Sequence, residues 1–261
     1  MHANLMAARR LALNAVWSCA AFLFLGAPVA RSQQSVVTAQ VEFASVGAAD
    51  KSSARTSARI PQEVVVWLRP LDRTALPDAP DPNIIRAKAK RSVLVQKDKN
   101  FTPHLLVVEV GTSVDFPNHD PFFHNVFSLF DGKRFDLGLY EAGATNTVRF
   151  DRVGVSFLFC NIHPQMSAVV VAVDTPFFGK SDRAGRITIS DVPEGRYELH
   201  VWYERSLPED LKKLTRNVVV SSVAFNVGTV SLAENPNFTP AHKNKYGQDY
   251  TPPPGNDYDH P

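Results

Sequence analysis

Cys160, His163 and Met166 lie within seven consecutive residues, Cys-Asn-Ile-His-Pro-Gln-Met. A thiolate, an imidazole and a thioether on one short loop are donors that a copper ion cycling between Cu(I) and Cu(II) can use together. The two sulfurs are soft and hold the reduced ion, while imidazole suits both oxidation states. Such a site needs a second imidazole, and His124, in Pro-Phe-Phe-His-Asn-Val-Phe, is the candidate. Cys160, His124 and His163 would form a trigonal plane, with Met166 as a weak axial donor. That is the donor set of mononuclear copper sites that pass single electrons.

Other readings of the same residues compete. A lone cysteine is often a buried apolar thiol, and methionine often fills a core. His119, in the turn Asn-His-Asp-Pro, is a rival to His124 in a setting whose side chains bond their own backbone. His104 reads as structural, His200 as a packing or surface residue, and His242 and His260 as tail residues able to bind metal adventitiously. A Cys/His nucleophile would need an orienting third group and an oxyanion hole. Neither a third residue nor a Gly-rich turn presents itself near Cys160. Zinc is disfavoured because methionine is a poor zinc ligand and structural zinc sites favour further cysteines.

The elements that must hold these donors are legible as strands. Residues 155–159 feed Cys160 into the loop, and 167–173 leave it, so the loop is pinned at both ends. The backbone N–H of Asn125 is placed to reach the Cys160 sulfur, and its side chain to tie the two loops together. Pro164 restricts the loop. Pro121, Phe122, Phe123, Pro164 and Met166 are expected to form an apolar rim.

Further short runs extend the pattern. Strands are expected at 36–43, 63–68, 92–96, 104–110, 113–116, 125–129, 135–139, 145–150 and 154–160, with a weak helix at 84–91. Gly, Pro, Asn and Asp punctuate them, which points to an antiparallel sandwich or barrel with Greek-key links. After Asp174-Thr175-Pro176 a smaller strand set follows, at 186–189, 196–204, 217–222 and 224–232. A unit of this size is marginal alone and is expected to pack on the first. From 234 to 261 prolines and tyrosines replace apolar periodicity, and this reads as a disordered tail.

The first 32 residues are set apart. Arg9 and Arg10 precede an apolar run over 11–25, and small residues follow at Ala27, Ala30 and Ser32. This is the pattern of a cleaved secretory signal, and the run is short of the about 20 residues a spanning helix needs. Cleavage removes Cys19 and leaves Cys160 as the only cysteine, a free thiol in an oxidising compartment that metal ligation would explain. It also removes Arg9, Arg10 and Arg31, so Lys+Arg falls from 28 to 25 against 26 Asp+Glu and the net charge goes from +2 to −1. The apparent basicity therefore gives no support for nucleic-acid binding. Hydrophobic residues make up 44% and charged ones 21% of the 261, ordinary for a globular chain.

Val110-Gly111-Thr112-Ser113-Val114, His124-Asn125-Val126 and Cys160-x-x-His163-x-x-Met166 together resemble the cupredoxins, plastocyanin and amicyanin in particular. The Cys-to-His-to-Met spacing is similar to that of amicyanin. The resemblance implies an all-β Greek-key sandwich over 33–174 that binds one copper ion through His124, Cys160, His163 and Met166. The stretch 175–233 resembles a carboxypeptidase regulatory-like, prealbumin-type β-sandwich, and the combination is similar to bacterial proteins of the methylamine-utilisation type. Together these imply a periplasmic or secreted electron carrier, not an enzyme. It would work with redox partner proteins and no nucleic acid, with no transmembrane segment after cleavage. The alternative is an envelope-associated binding or structural module whose copper site is secondary.

Overall fold

The computed structural model describes residues 34–43, 63–72, 90–129, 131–221, 223–239 and 242–250. The leader expected over 1–32, all but the end of the helix expected over 84–91, and the last residues, 251–261, lie outside them. In chain order the strands are β1 (Gln34–Phe43), β2 (Val65–Pro70), β3 (Arg91–Val93), β4 (Val95–Lys97), β5 (Asn100–Thr102), β6 (Leu105–Glu109), β7 (Ser113–Pro117), β8 (His124–Ser128) and β9 (Phe135–Tyr140). They continue as β10 (Thr145–Arg149), β11 (Gly154–Phe159), β12 (Ser167–Val173), β13 (Phe178–Lys180), β14 (Arg186–Pro193), β15 (Gly195–Trp202), β16 (Arg216–Val220) and β17 (Ala224–Leu232). Among the described residues one short helix, α1 (Pro208–Leu214), interrupts them, with Glu209 and Asp210 in its first turn and Lys212 and Lys213 in its last, as the helix dipole favours.

The protein is all-β, and its sheets stack in layers. The sheet β6-β12-β11-β8-β9 packs one face on β10-β7-β3 and the other on β13-β2-β15-β16, which in turn packs on β14-β1-β17. The sequence of β12, Ser-Ala-Val-Val-Val-Ala-Val, explains its central place. Ala168, Val170 and Ala172 enter one core, while Val169, Val171 and Val173 enter the next. A strand buried on both faces reads as a continuous apolar run, with no alternation. β2 does the same, with Val66 and Leu68 on one side and Val65 and Trp67 on the other.

The strand expectations hold closely, but the partition at 174/175 differs. β1 pairs in parallel with β17 and antiparallel with β14, and β2 pairs with β13 and β15. The first two strands thus join the sheets of the C-terminal strand set, and among the described residues the strands that carry the site start at Arg91. Alternation in a sequence shows that a strand has an inner face, and does not show which sheet it joins. The expected strand at 92–96 is broken at Leu94, which is wholly buried between β3 and β4. Gly111, at φ +96, makes the turn from β6 to β7, a conformation that glycine adopts freely.

A polar tie crosses between the two units. His104, at the start of β6, contacts Glu204 through Nε2 at 2.8 Å and the Ser167 carbonyl through Nδ1 at 3.1 Å. The hydrogen bond to Glu204 raises the His104 pKa above the usual 6.5, against the opposing effect of burial. The folded state therefore holds this proton more tightly than the unfolded chain. The stabilisation is complete below about pH 6.5 and is lost as pH rises through the folded value. The urea midpoint of wild type is expected to fall between pH 6 and pH 8 more than that of His104→Gln; equal slopes would show that the tie contributes nothing.

Candidate metal centre

β8 and β11 run antiparallel, with Phe127 opposite Phe159. This pairing sets the start of β8, where His124 stands, beside the end of β11, where the chain passes into Cys160. β11 then pairs with β12 from Phe159↔Ser167 onward, so residues 160–166 are the connection of a hairpin. The Met166 N–H donates to the His163 carbonyl at 3.1 Å and the Cys160 N–H to the Met166 carbonyl at 3.3 Å, which closes the loop on itself. Pro164 supplies no donor within it.

Three of the four expected donors converge. The Cys160 Sγ lies 3.8 Å from His124 Nδ1 and 3.6 Å from His163 Nδ1, and the three atoms lie within 4.8 Å of one another. Bonds of about 2.0–2.3 Å to one first-row ion, opened to roughly 110–120° at the metal, put sulfur and nitrogen about 3.6–3.8 Å apart. Both sulfur-to-nitrogen spacings thus match a shared first-row ion. Among the described residues no other group of three such side chains meets this test.

Charge and burial prepare the donors differently. Cys160 and His124 are fully buried, and His163 is half-buried. Burial raises the Cys160 thiol, while the backbone N–H groups of Ile162, Asn125 and His163, directed at the sulfur, pull it down. The expected role of the Asn125 N–H is thus present. Its side chain acts elsewhere, donating to Asp136 and to the Gly138 carbonyl, which ties β8 to β9 and not to the Cys160 loop. Burial depresses His124, outweighing the pull of Asp120. His163 is depressed from 6.5 to about 4, by burial first and then by His124 and Lys99. Both imidazoles are neutral at pH 7, as ligands must be.

Sequence reasoning passed over Asp120. Its Oδ2 accepts from His124 Nε2 at 2.7 Å, and this puts the imidazole proton on Nε2 and leaves the Nδ1 lone pair facing Cys160. The carboxylate is held in turn by the N–H groups of Asp98 at 2.6 Å and Lys99 at 2.9 Å. Both residues have φ of 54° in the tight turn between β4 and β5. Two left-handed central residues make the favoured hairpin turn, which usually recruits Asn-Gly. Here Asp-Lys adopts it, and the two amide bonds to Asp120 help to offset that cost. A carboxylate four residues before the candidate His was the available signal.

The remaining expectations divide. Met166 is wholly buried in the same apolar cluster as Cys160 and is therefore not part of a rim. The rim comprises Phe122, whose ring centroid lies 5.2 Å from His124 and 5.6 Å from His163, with Phe123 and Ile162 exposed beside it. Lys99 sits over Phe122 at 5.3 Å. His119 is exposed on its turn and outside the cluster. His200 stacks on Trp67, and His242 stacks on Phe159. Cys19 and His260 lie outside the described residues.

No family model and no curated protein matches this chain. Solved cupredoxin structures resemble part of it. A copper-containing nitrite reductase from Thermus scotoductus SA-01 is 22% identical with a TM-score of 0.31, over 33% of this chain and 23% of that one. A purple cupredoxin from Nitrosopumilus maritimus is 23% identical with a TM-score of 0.29, over 31% of this chain and 99% of that one. A mutant of amicyanin in its Cu(I) form is 17% identical with a TM-score of 0.30, over 41% of this chain and 98% of that one. Likenesses this partial carry no weight for the site, whose case is the geometry above.

Replacing Asp120 by Asn removes the charge that fixes the His124 tautomer. Metal affinity, measured by chelator competition, is expected to fall about 10–100-fold, the usual effect of losing a carboxylate behind a ligating imidazole. Wild-type affinity would mean that packing alone orients the ring.

Proposed function

We propose that this chain is an exported mononuclear copper protein that carries single electrons between redox partners and is not itself an enzyme. The observation that supports it best is the convergence of the Cys160 Sγ with the Nδ1 atoms of His124 and His163, at spacings one ion can span. One thiolate with two imidazoles and a nearby thioether is a donor set for copper rather than zinc. Bound copper supplies a one-electron couple.

The chain's own groups divide the remaining work. Cys160 would hold the ion as its thiolate, with the proton released to solvent, and three backbone N–H groups are directed at the sulfur. His124, locked by Asp120, fixes the inner side of the site. Met166, buried in the same cluster as Cys160, would be the fourth donor. His163 reaches towards solvent, bordered by Phe123 and Ile162, which are 55% and 43% exposed. A redox partner docks on this apolar edge, and His163 is the exit for the electron. No helix among the described residues is long and apolar enough to cross a membrane. The leader over 1–32 delivers the protein to the periplasm or outside the cell.

Protein lacking the leader is expected to take up one Cu(II) per chain, develop an intense visible thiolate-to-copper band and bleach with ascorbate. Cys160→Ser should lose the band and most of the metal; a variant that keeps both removes the assignment. Met166→Leu should keep the copper and the band and change the reduction potential, and an unchanged potential would exclude the thioether from the site.

A further inference from the structure

The C-terminal residues, read from sequence as a disordered tail, are built against the ligand loop over 242–250. The sheet β13-β2-β15-β16 covers the outer face of β6 and β12, and of β11 as far as Phe157. Beyond that limit the face is lined by Phe127 and Phe159, and the cover changes. His242 stacks on Phe159 with centroids 4.1 Å apart, and Lys243, Asn244 and Gly247 border a cleft of about 450 Å³ over the same face.

The segment is also hydrogen-bonded to the loop that carries Cys160 and, through Asp136 of β9, linked to Asn125 of β8. The Tyr250 hydroxyl donates to the Cys160 carbonyl at 2.6 Å. The Lys245 N–H donates to Asn161 Oδ1 at 3.0 Å. The Lys245 ammonium pairs with Asp136 at 2.8 Å, and Asp136 accepts from Asn125, whose own N–H is directed at the thiol. A phenol has one proton to donate. Tyr250 gives it to Cys160, so the imidazole is the donor in the 3.2 Å contact with His242 Nδ1, and it shares that N–H with the Lys243 carbonyl at 3.3 Å. The stacked ring thereby fixes the phenol, and the phenol fixes the Cys160–Asn161 peptide plane. The orientation of that plane sets where the next N–H groups, those of Ile162 and His163, point.

We propose that residues 242–250 are a working part of the metal centre, a clamp on the Cys160 end of the ligand loop with Tyr250 as its positioning residue. The proposal rests on reading Cys160, His124 and His163 as a copper site. Its content is that a segment remote in sequence, contributing no ligand, tunes the thiolate.

The test uses the otherwise intact leader-free chain carrying Tyr250→Phe, which keeps the ring and removes only the hydroxyl. Copper should still bind, with affinity lowered about tenfold. The charge-transfer band and the reduction potential should both shift, and packing loss alone would move neither. A Tyr250→Phe protein with wild-type affinity, band and potential overturns the clamp and leaves the copper reading intact. A wild-type protein that takes up no copper overturns both.

Discussion

The hydrogen bond from His124 Nε2 to Asp120 is the constraint on which the site most depends. A neutral imidazole has one proton and two nitrogens, and without a partner it can present either. Asp120 settles the choice before any metal arrives, so Nδ1 faces Cys160 as a lone pair. The carboxylate can do this only because it is itself immobile, held by two amides of the β4–β5 turn and by the Asp120 N–H bond to Asn118. Asn118 in turn donates to the Phe122 carbonyl, which fixes the approach to His124. A hairpin with no ligand of its own thus determines which atom of a ligand is offered.

Rigidity of the remaining donors comes from the layers. β12 and β2 are buried on both faces, so neither can shift without disturbing two cores at once, and protein interiors close-packed in this way are hard to deform. β11 is paired on both sides, with β12 and with β8. The loop it feeds starts and ends on strands that cannot move apart. This is the setting in which a fixed compromise geometry is cheap to maintain, because the cost of holding it is spread over the packing of the sheet.

Much of this was legible in the chain. The ligand loop was readable because its donors are adjacent, and His124 because it opens a strand after a proline-bounded turn. The positions of nearly all strands were readable from β-branched and aromatic runs. Sheet membership was not, since β1 and β2 find partners more than a hundred residues away and nothing local encodes that pairing. Asp120 was passed over because it looks like an ordinary turn residue, and its importance lies in what it accepts. Tyr250 and Lys245 were passed over for a related reason. Each makes one or two specific hydrogen bonds from a segment with no periodicity, and single contacts leave no pattern to read.

The electrostatics of the site also bear on which oxidation state it would favour under the proposed function. With both imidazoles neutral and the thiol deprotonated, the inner donors carry a single negative charge. A buried, low-dielectric setting penalises net charge. It therefore favours the monovalent ion, which the thiolate neutralises, over the divalent one, which leaves an excess positive charge. Asp120 acts in the opposite sense. Burial pushes its carboxyl up, but its amide and imidazole bonds together outweigh burial and hold it below the usual range, so it remains ionised behind His124. Lys99, beside His163 and over Phe122, adds a positive charge that works with burial. The potential is then set by burial and Lys99 on one side and Asp120 on the other. Because the turn that places Lys99 over the rim also binds Asp120, a change in that hairpin alters both opposing charges together.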